Sequence, residues 1–162
     1  MKKVRTLFID PSVNNVGYAI YDGATQSIVD YGCHKTKGDN IQTKLEDIFF
    51  FISEIVKDNL ITFSVIEQPA VFAYSKVTAK SGKILNLSAL QKLSMAVGCI
   101  IGSLALNNIK VDLIPANKWK GRMAKSEVRS ITKIKNEHAA DAYLMAVLYY
   151  NLKINKKEVV TK

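Results

Sequence analysis

Two short apolar runs in this chain stop in the same way: "TLFID" meets Pro11, and "ITFSVIE" meets Gln68–Pro69. β-Branched and aromatic residues bounded by a proline predict strands that end at those points. Each strand then delivers a carboxylate, Asp10 or Glu67, to its C-terminal end. A third acid follows in "NEHAADAYLMA", residues 136–146, where Glu137, Asp141, Leu144 and Leu148 recur at i, i+4, i+7 and i+11 and share one helical stripe. An unpaired charge on the inward stripe of a helix is costly to bury. An acid in that position needs a partner.

The rest of the chain arranges itself around these three acids. "NVGYAIYD" and "QSIVDYGCHK" predict a second and a third strand, joined at an Asp22–Gly23 turn signal. "NIQTKLEDIFFFISEIVKD" has helical spacing through Ile41, Leu45, Ile48, Ile52 and Ile55. "LSALQKLSMAVGCIIGSLALNN" predicts a long helix whose Gly98 and Gly102 would permit close packing against the sheet or another helix. "IKVDLIP" predicts a fifth strand, and "ANKWKGRMAKSEVRSITKIK" a basic segment, part loop and part helix. "NEHAADAYLMAVLYYNL" is the last helix. The order βββαβαβα implies an α/β fold, a mixed sheet with helices on its faces. At 162 residues the chain suits one domain, spanning 1–152, with 153–162 a basic, solvated tail.

Lysine and arginine outnumber aspartate and glutamate by 23 to 14, for a net charge of +9. That balance favours an anionic partner, nucleic acid ahead of a membrane surface, because no basic amphipathic anchor stands out. Eight basic residues fall between Lys110 and Lys135, against Asp112 and Glu127, a density that can neutralise several phosphates and makes binding fall with salt. Cys33 and Cys99 lie far apart and read as reduced thiols of a cytoplasmic protein. The apolar run from Met95 to Leu106 reads as too short to span a bilayer, and the N-terminus reads as a strand rather than a signal peptide.

Asp10, Glu67 and Asp141 sit in three elements that an α/β sheet can bring to one point. Converging carboxylates repel one another and resist losing water. A divalent cation removes both objections, and hard oxygen donors suit Mg²⁺ or Mn²⁺. His138, one turn before Asp141, reads as a fourth ligand, a general acid/base, or a capping or surface residue. Asn136 is a good N-cap, and Glu137 suits the first turn of a helix. Ala139, Ala140 and Ala142 would let that helix lie close to the sheet. "AVFAYSKVTAKSGK", which follows Glu67, has no clear period and reads as a functional loop with Phe72, Tyr74, Lys76, Lys80 and Lys83 and no acid. Trp119 reads as a packing anchor rather than a base contact.

Taken in order, "FIDPSVNNVGYAI", "VIEQP", "IPANKWKGRMAKSEVR" and "HAADAYLMA" resemble the RuvC-type Holliday junction resolvases of the RNase H-like superfamily, from Val4 to about Leu152. The compact form resembles a phage-type member. The resemblance implies a five-stranded mixed sheet with helices on both faces and a homodimer that nicks a four-way DNA junction symmetrically. It places Asp10, Glu67 and Asp141 on the family's metal-binding and catalytic carboxylates, and His138 on a fourth position held by Asp or His. It also implies that two Mg²⁺ or Mn²⁺ ions activate water, leaving 5′-phosphate and 3′-hydroxyl ends. The loop carrying Phe72 and Tyr74 would reach the junction core, with an aromatic stacking on an unpaired base. Lys118, Lys120, Arg122 and Lys125 would touch the DNA backbone. Ser12 stands where relatives commonly have glycine, and the basic segment after Trp119 is shortened.

Three rivals bear on this reading. One is a RuvC-like nuclease that processes RNA, and another is a junction-binding protein without catalysis. A sugar- or acetate-kinase fold needs two such domains, which 162 residues cannot supply. The sequence names no helicase partner and no preferred cutting site.

Overall fold

The computed structural model describes residues 4–69 and 87–160, the side chains of 151–160 excepted. Its elements run β1 (Arg5–Asp10), β2 (Asn15–Asp22), β3 (Ser27–Lys35), α1 (Ile41–Asn59), β4 (Ile61–Gln68), α2 (Leu87–Leu106), β5 (Lys110–Pro115), α3 (Ala116–Trp119), α4 (Lys125–Thr132) and α5 (Glu137–Val160). The five strands lie in the order β3-β2-β1-β4-β5, with β1, β2 and β3 antiparallel and β4 and β5 parallel to β1. This is a five-stranded mixed sheet, as the element order predicts.

β1 is the central strand, and its apolar run is continuous because both of its faces are covered. Leu7 and Ile9 point into one cluster with Ile48 and Ile52 of α1 and Ile100 and Leu104 of α2. Phe8 points the other way, into a cluster with Val65, Trp119, Val128, Met145 and Tyr149. The sheet thus separates an α1–α2 layer from an α3–α5 layer. Asn40 caps α1, its side chain accepting from the Thr43 amide at 3.0 Å.

The close approach of α5 to β2 is fixed by one residue. A Cβ built on Gly17 would lie 2.1 Å from the His138 carbonyl oxygen, so only glycine fits there. Ala139, Ala140 and Ala142 are all buried along the same helix, as the small-residue reading requires.

Several expectations change. Among the described residues, nothing lies within 4 Å of a Cβ built on Gly98 or Gly102, on the outer side of α2. A G-x-x-x-G spacing fixes a helical face but does not say which way that face turns. α2 begins at Leu87, well before Met95, so its 20 residues are long and apolar enough, by length and composition, to cross a membrane. In the fold it is tied to α1 by polar bonds: Ser103 Oγ donates to the Phe49 carbonyl at 2.9 Å, and Cys99 Sγ to the Leu45 carbonyl at 3.1 Å. The basic segment is part loop and part helix, as expected, with α3 and α4 as its helices. The backbone of α5 continues to Val160 through residues read as a solvated tail, because nothing in "KINKKEVV" breaks a helix.

Gly17→Ala forces His138 and its helix away from the sheet. We expect a loss of about 1–3 kcal/mol in stability, the usual cost of overpacking, measured as a lowered Tm and denaturant midpoint.

Candidate metal centre

Parallel pairing sets β1 and β4 in a register that puts Ile9 opposite Ile66, so Asp10 and Glu67 leave neighbouring strands at the same end. Asp10 also pairs with Gly17, the position over which the first turn of α5 lies. Asn136 caps that turn, its Oδ1 accepting from the Ala139 amide at 3.1 Å. Leu144 and Met145, both buried, hold the helix to the sheet one turn further on. Asp141 is thereby brought to the two strand ends. One carboxylate oxygen from each of Asp10, Glu67 and Asp141 lies within 4.8 Å of the others. Asp10 is 8% exposed and Asp141 5%, while Glu67 is half-buried.

Each acid has a different hydrogen-bond donor. His138 Nδ1 lies 2.6 Å from Asp10 Oδ2, the Trp119 indole N–H donates to Glu67 Oε2 at 3.1 Å, and Lys120 Nζ donates to Asp141 Oδ2 at 3.1 Å. These donors do not satisfy the site. Burial pushes the Asp10 carboxyl above its ordinary value, outweighing the opposing pull of His138 and Lys120. Burial, and then the neighbouring Asp10, push Glu67 up to about 7. The hydrogen bond to Asp10 raises the His138 imidazole in turn. Both partners of the His138–Asp10 pair therefore rise, the histidine because of its partner and the aspartate because of its surroundings. An all-oxygen set that resists ionising together is the donor chemistry a hard divalent cation suits, so the residues fit Mg²⁺ or Mn²⁺.

His138 faces this centre through Asp10, and its Nε2 lies 3.9 Å from Glu137. It would have to turn from Asp10 to offer Nδ1 to a cation. Glu137 pairs with Lys125 at 3.1 Å, outside the three-acid group, as a helix-start acid should.

The basic residues divide. Lys118 and Arg122 are exposed, and Lys125 is exposed but held by Glu137. Lys120, expected on the DNA backbone, is paired with Asp141 inside the acid group. Sequence spacing could not distinguish these places, because α3 alone decides which lysine turns inward. A further basic hollow of about 470 Å³ is lined by Ser126, Arg129, Ser130, Lys133, Ile134 and Lys135. Phe72, Tyr74, Lys76, Lys80 and Lys83 lie outside the described residues. Sequence reasoning missed Trp119 as a partner of Glu67; its tryptophan identity signalled burial but not where the N–H would go.

No protein-family model matches the chain. Among curated proteins, it is similar to the crossover junction endodeoxyribonuclease RuvC of Shewanella oneidensis, with 29% identity over 160 residues, covering 90% of this chain and 86% of that protein. The RuvC of Shewanella piezotolerans is 28% identical over the same shares. Among solved structures, the fold is similar to Thermus thermophilus RuvC in complex with Holliday junction substrate, with a TM-score of 0.66 and 15% identity over 92% of this chain and 96% of that one. It is also similar to the yeast mitochondrial Holliday junction resolvase, with a TM-score of 0.59 and 10% identity over 88% of this chain and 76% of that one. Along most of its length the chain is thus similar in sequence to RuvC proteins, and its sheet and helices are built like those of solved Holliday junction resolvases.

Proposed function

We propose that the chain is a metal-dependent endonuclease that resolves four-way DNA junctions, with Asp10, Glu67 and Asp141 holding its cations. The observation that carries this reading is the convergence of three carboxylates, from β1, β4 and α5, in a basic chain related to crossover junction endodeoxyribonucleases. When bound, a pair of Mg²⁺ or Mn²⁺ ions supplies charge neutralisation at a phosphodiester and a water for in-line attack, leaving 5′-phosphate and 3′-hydroxyl ends. The three acids offer hard oxygen donors, and Lys120 compensates Asp141 until the site is filled. His138 serves as the fourth ligand or as general acid/base on turning from Asp10. Lys118, Arg122 and Lys125 take backbone phosphates. A bacterial or phage origin would place this work in the cytoplasm.

Two matched cuts need two sites, and the described residues hold one three-acid group. A second copy related by a two-fold axis supplies the other. The outward side of the α1–α2 layer suits that contact. Phe50 is 62% exposed and Met95 40%, and both line a hollow of about 400 Å³ shared with Leu45, Phe49 and Cys99. Gly98 and Gly102, open to solvent, let a second helix come near.

With a labelled four-way junction, a linear duplex and a structured RNA as substrates, we expect paired nicks in the junction alone. EDTA should abolish them, and Asp10→Asn should lower the rate by about 100-fold or more. Cleavage of the RNA in preference to the junction would move the chain to the RNA-processing class, and tight junction binding without cleavage would remove catalysis. The double variant Phe50→Glu, Met95→Glu should run as a monomer by light scattering and give single, unpaired nicks.

The raised Glu67 carboxyl gives the free site a pH dependence. Between its ordinary value and about 7, the folded chain keeps a proton that the unfolded chain has released. Stability of the metal-free protein therefore falls as pH rises through that window, and Asp10 and His138, also raised, act in the same direction. Metal-free Tm should drop between about pH 4.5 and 7, and saturating Mg²⁺ should narrow the drop. Affinity for Mg²⁺ should rise over the same range, with proton release detectable by calorimetry in buffers of different ionisation enthalpy.

A further inference from the structure

Trp119 does more at this site than fill space. It is 4% exposed, packed with Phe8, Val65, Val128 and Met145 on the α3–α5 side of the sheet. Phenylalanine would meet the demands of such packing, with no polar hydrogen to place. An indole N–H in the same position must find an acceptor, since an unsatisfied buried donor costs about 1–3 kcal/mol. The acceptor here is Oε2 of Glu67, at 3.1 Å. The next residue, Lys120, sets its ammonium 4.9 Å from the centre of the same ring and bonds Asp141. The end of α3 and the residue after it, Trp119 and Lys120, therefore touch two of the three acids, one through a neutral donor and one through a charge.

We propose that Trp119 is a positioning residue for the cation site: its indole N–H holds the Glu67 carboxylate in one orientation and reserves the second oxygen, Oε1, for the ion. The inference rests on the metal reading above. The indole donates but cannot accept, so it fixes which oxygen is occupied without competing for the cation. Being neutral, it also adds no charge that an arriving ion would have to overcome. Lys120 is different, because a cation near Asp141 takes over the compensation its ammonium provides. Outer partners of metal ligands orient them in this way, and their loss typically weakens metal binding by 10–100-fold.

The chain has a single tryptophan, so its emission reports on this one position. The full-length, metal-free protein is titrated with Mg²⁺ while tryptophan emission and calorimetric heat are followed in parallel. Trp119→Phe, which keeps an aromatic ring and removes the N–H, is compared by calorimetry and by its metal-free Tm. We expect wild-type emission to change saturably with the calorimetric midpoint, and Trp119→Phe to bind Mg²⁺ roughly 10-fold more weakly while melting close to the wild type. Wild-type affinity retained in Trp119→Phe overturns the proposal. Emission that stays flat across a calorimetric transition also overturns it, and this arm decides the matter if the variant does not fold. Absence of any Mg²⁺ binding by the wild type overturns the metal reading and this inference with it, whereas wild-type binding with an indifferent Trp119→Phe overturns the inference alone.

Discussion

The first turn of α5 lies so close to β2 that the position beneath the His138 carbonyl has room for a hydrogen and nothing larger. Much of the site depends on that approach. Gly17 pairs with Asp10, so the place where the helix touches the sheet is next to the acid that ends β1. The buried alanines continue the contact, and Asp141 follows one turn after His138. A helix held further out by the width of a methyl group would carry both His138 and Asp141 away from Asp10. Backbone packing, rather than attraction between the side chains, brings the acids together. Three carboxylates would not gather unaided.

Gathering them raises an electrostatic cost that the fold offsets in part. Asp10 has His138, Glu67 has Trp119 and Asp141 has Lys120, so each acid engages a separate donor through one oxygen. Two of these donors come from α3 and the residue that follows it, and α3 has four residues and no side-chain cap of its own. Its position is set by β5 before it and by the burial of Trp119. The compensation is incomplete, since Asp10 and Glu67 still resist ionisation. A site with every oxygen paired and every charge cancelled would have no affinity left for a cation. Partial satisfaction makes the acids tolerable to the folded chain and leaves oxygens to bind with.

The acids were legible in the sequence because each coincides with a local signal. Asp10 and Glu67 stand where strands stop before proline, and Asp141 interrupts an apolar stripe whose period is visible in one dimension. The mixed sheet and the helices on its faces follow from the same patterns. What the sequence did not disclose is tertiary. The inward turn of Lys120 and the target of the Trp119 N–H depend on how a four-residue helix leaves β5. The glycine pair of α2 has a clear spacing, but spacing alone is silent about whether that face turns to α1 or to solvent. Gly17 was quoted within a recognisable motif, yet only the placement of His138 above it explains why no other residue would serve.

The two sides of the sheet carry separate kinds of constraint. Among the described residues, the donors to the acid group all come from the α3–α5 side, so a change there alters the orientation of the acids as well as packing. The α1–α2 side reaches the acids only through the backbones of β1 and β4, which Leu7, Ile9 and Ile66 anchor from below. Ser53, Ser103 and Asn107 tie the two helices together there, leaving their outer face apolar and open. A chain that both cut and paired with a copy of itself, as proposed above, would benefit from that division. The outer face can vary with the partner it meets while the register of β1 and β4, and with it the spacing of Asp10 and Glu67, stays fixed.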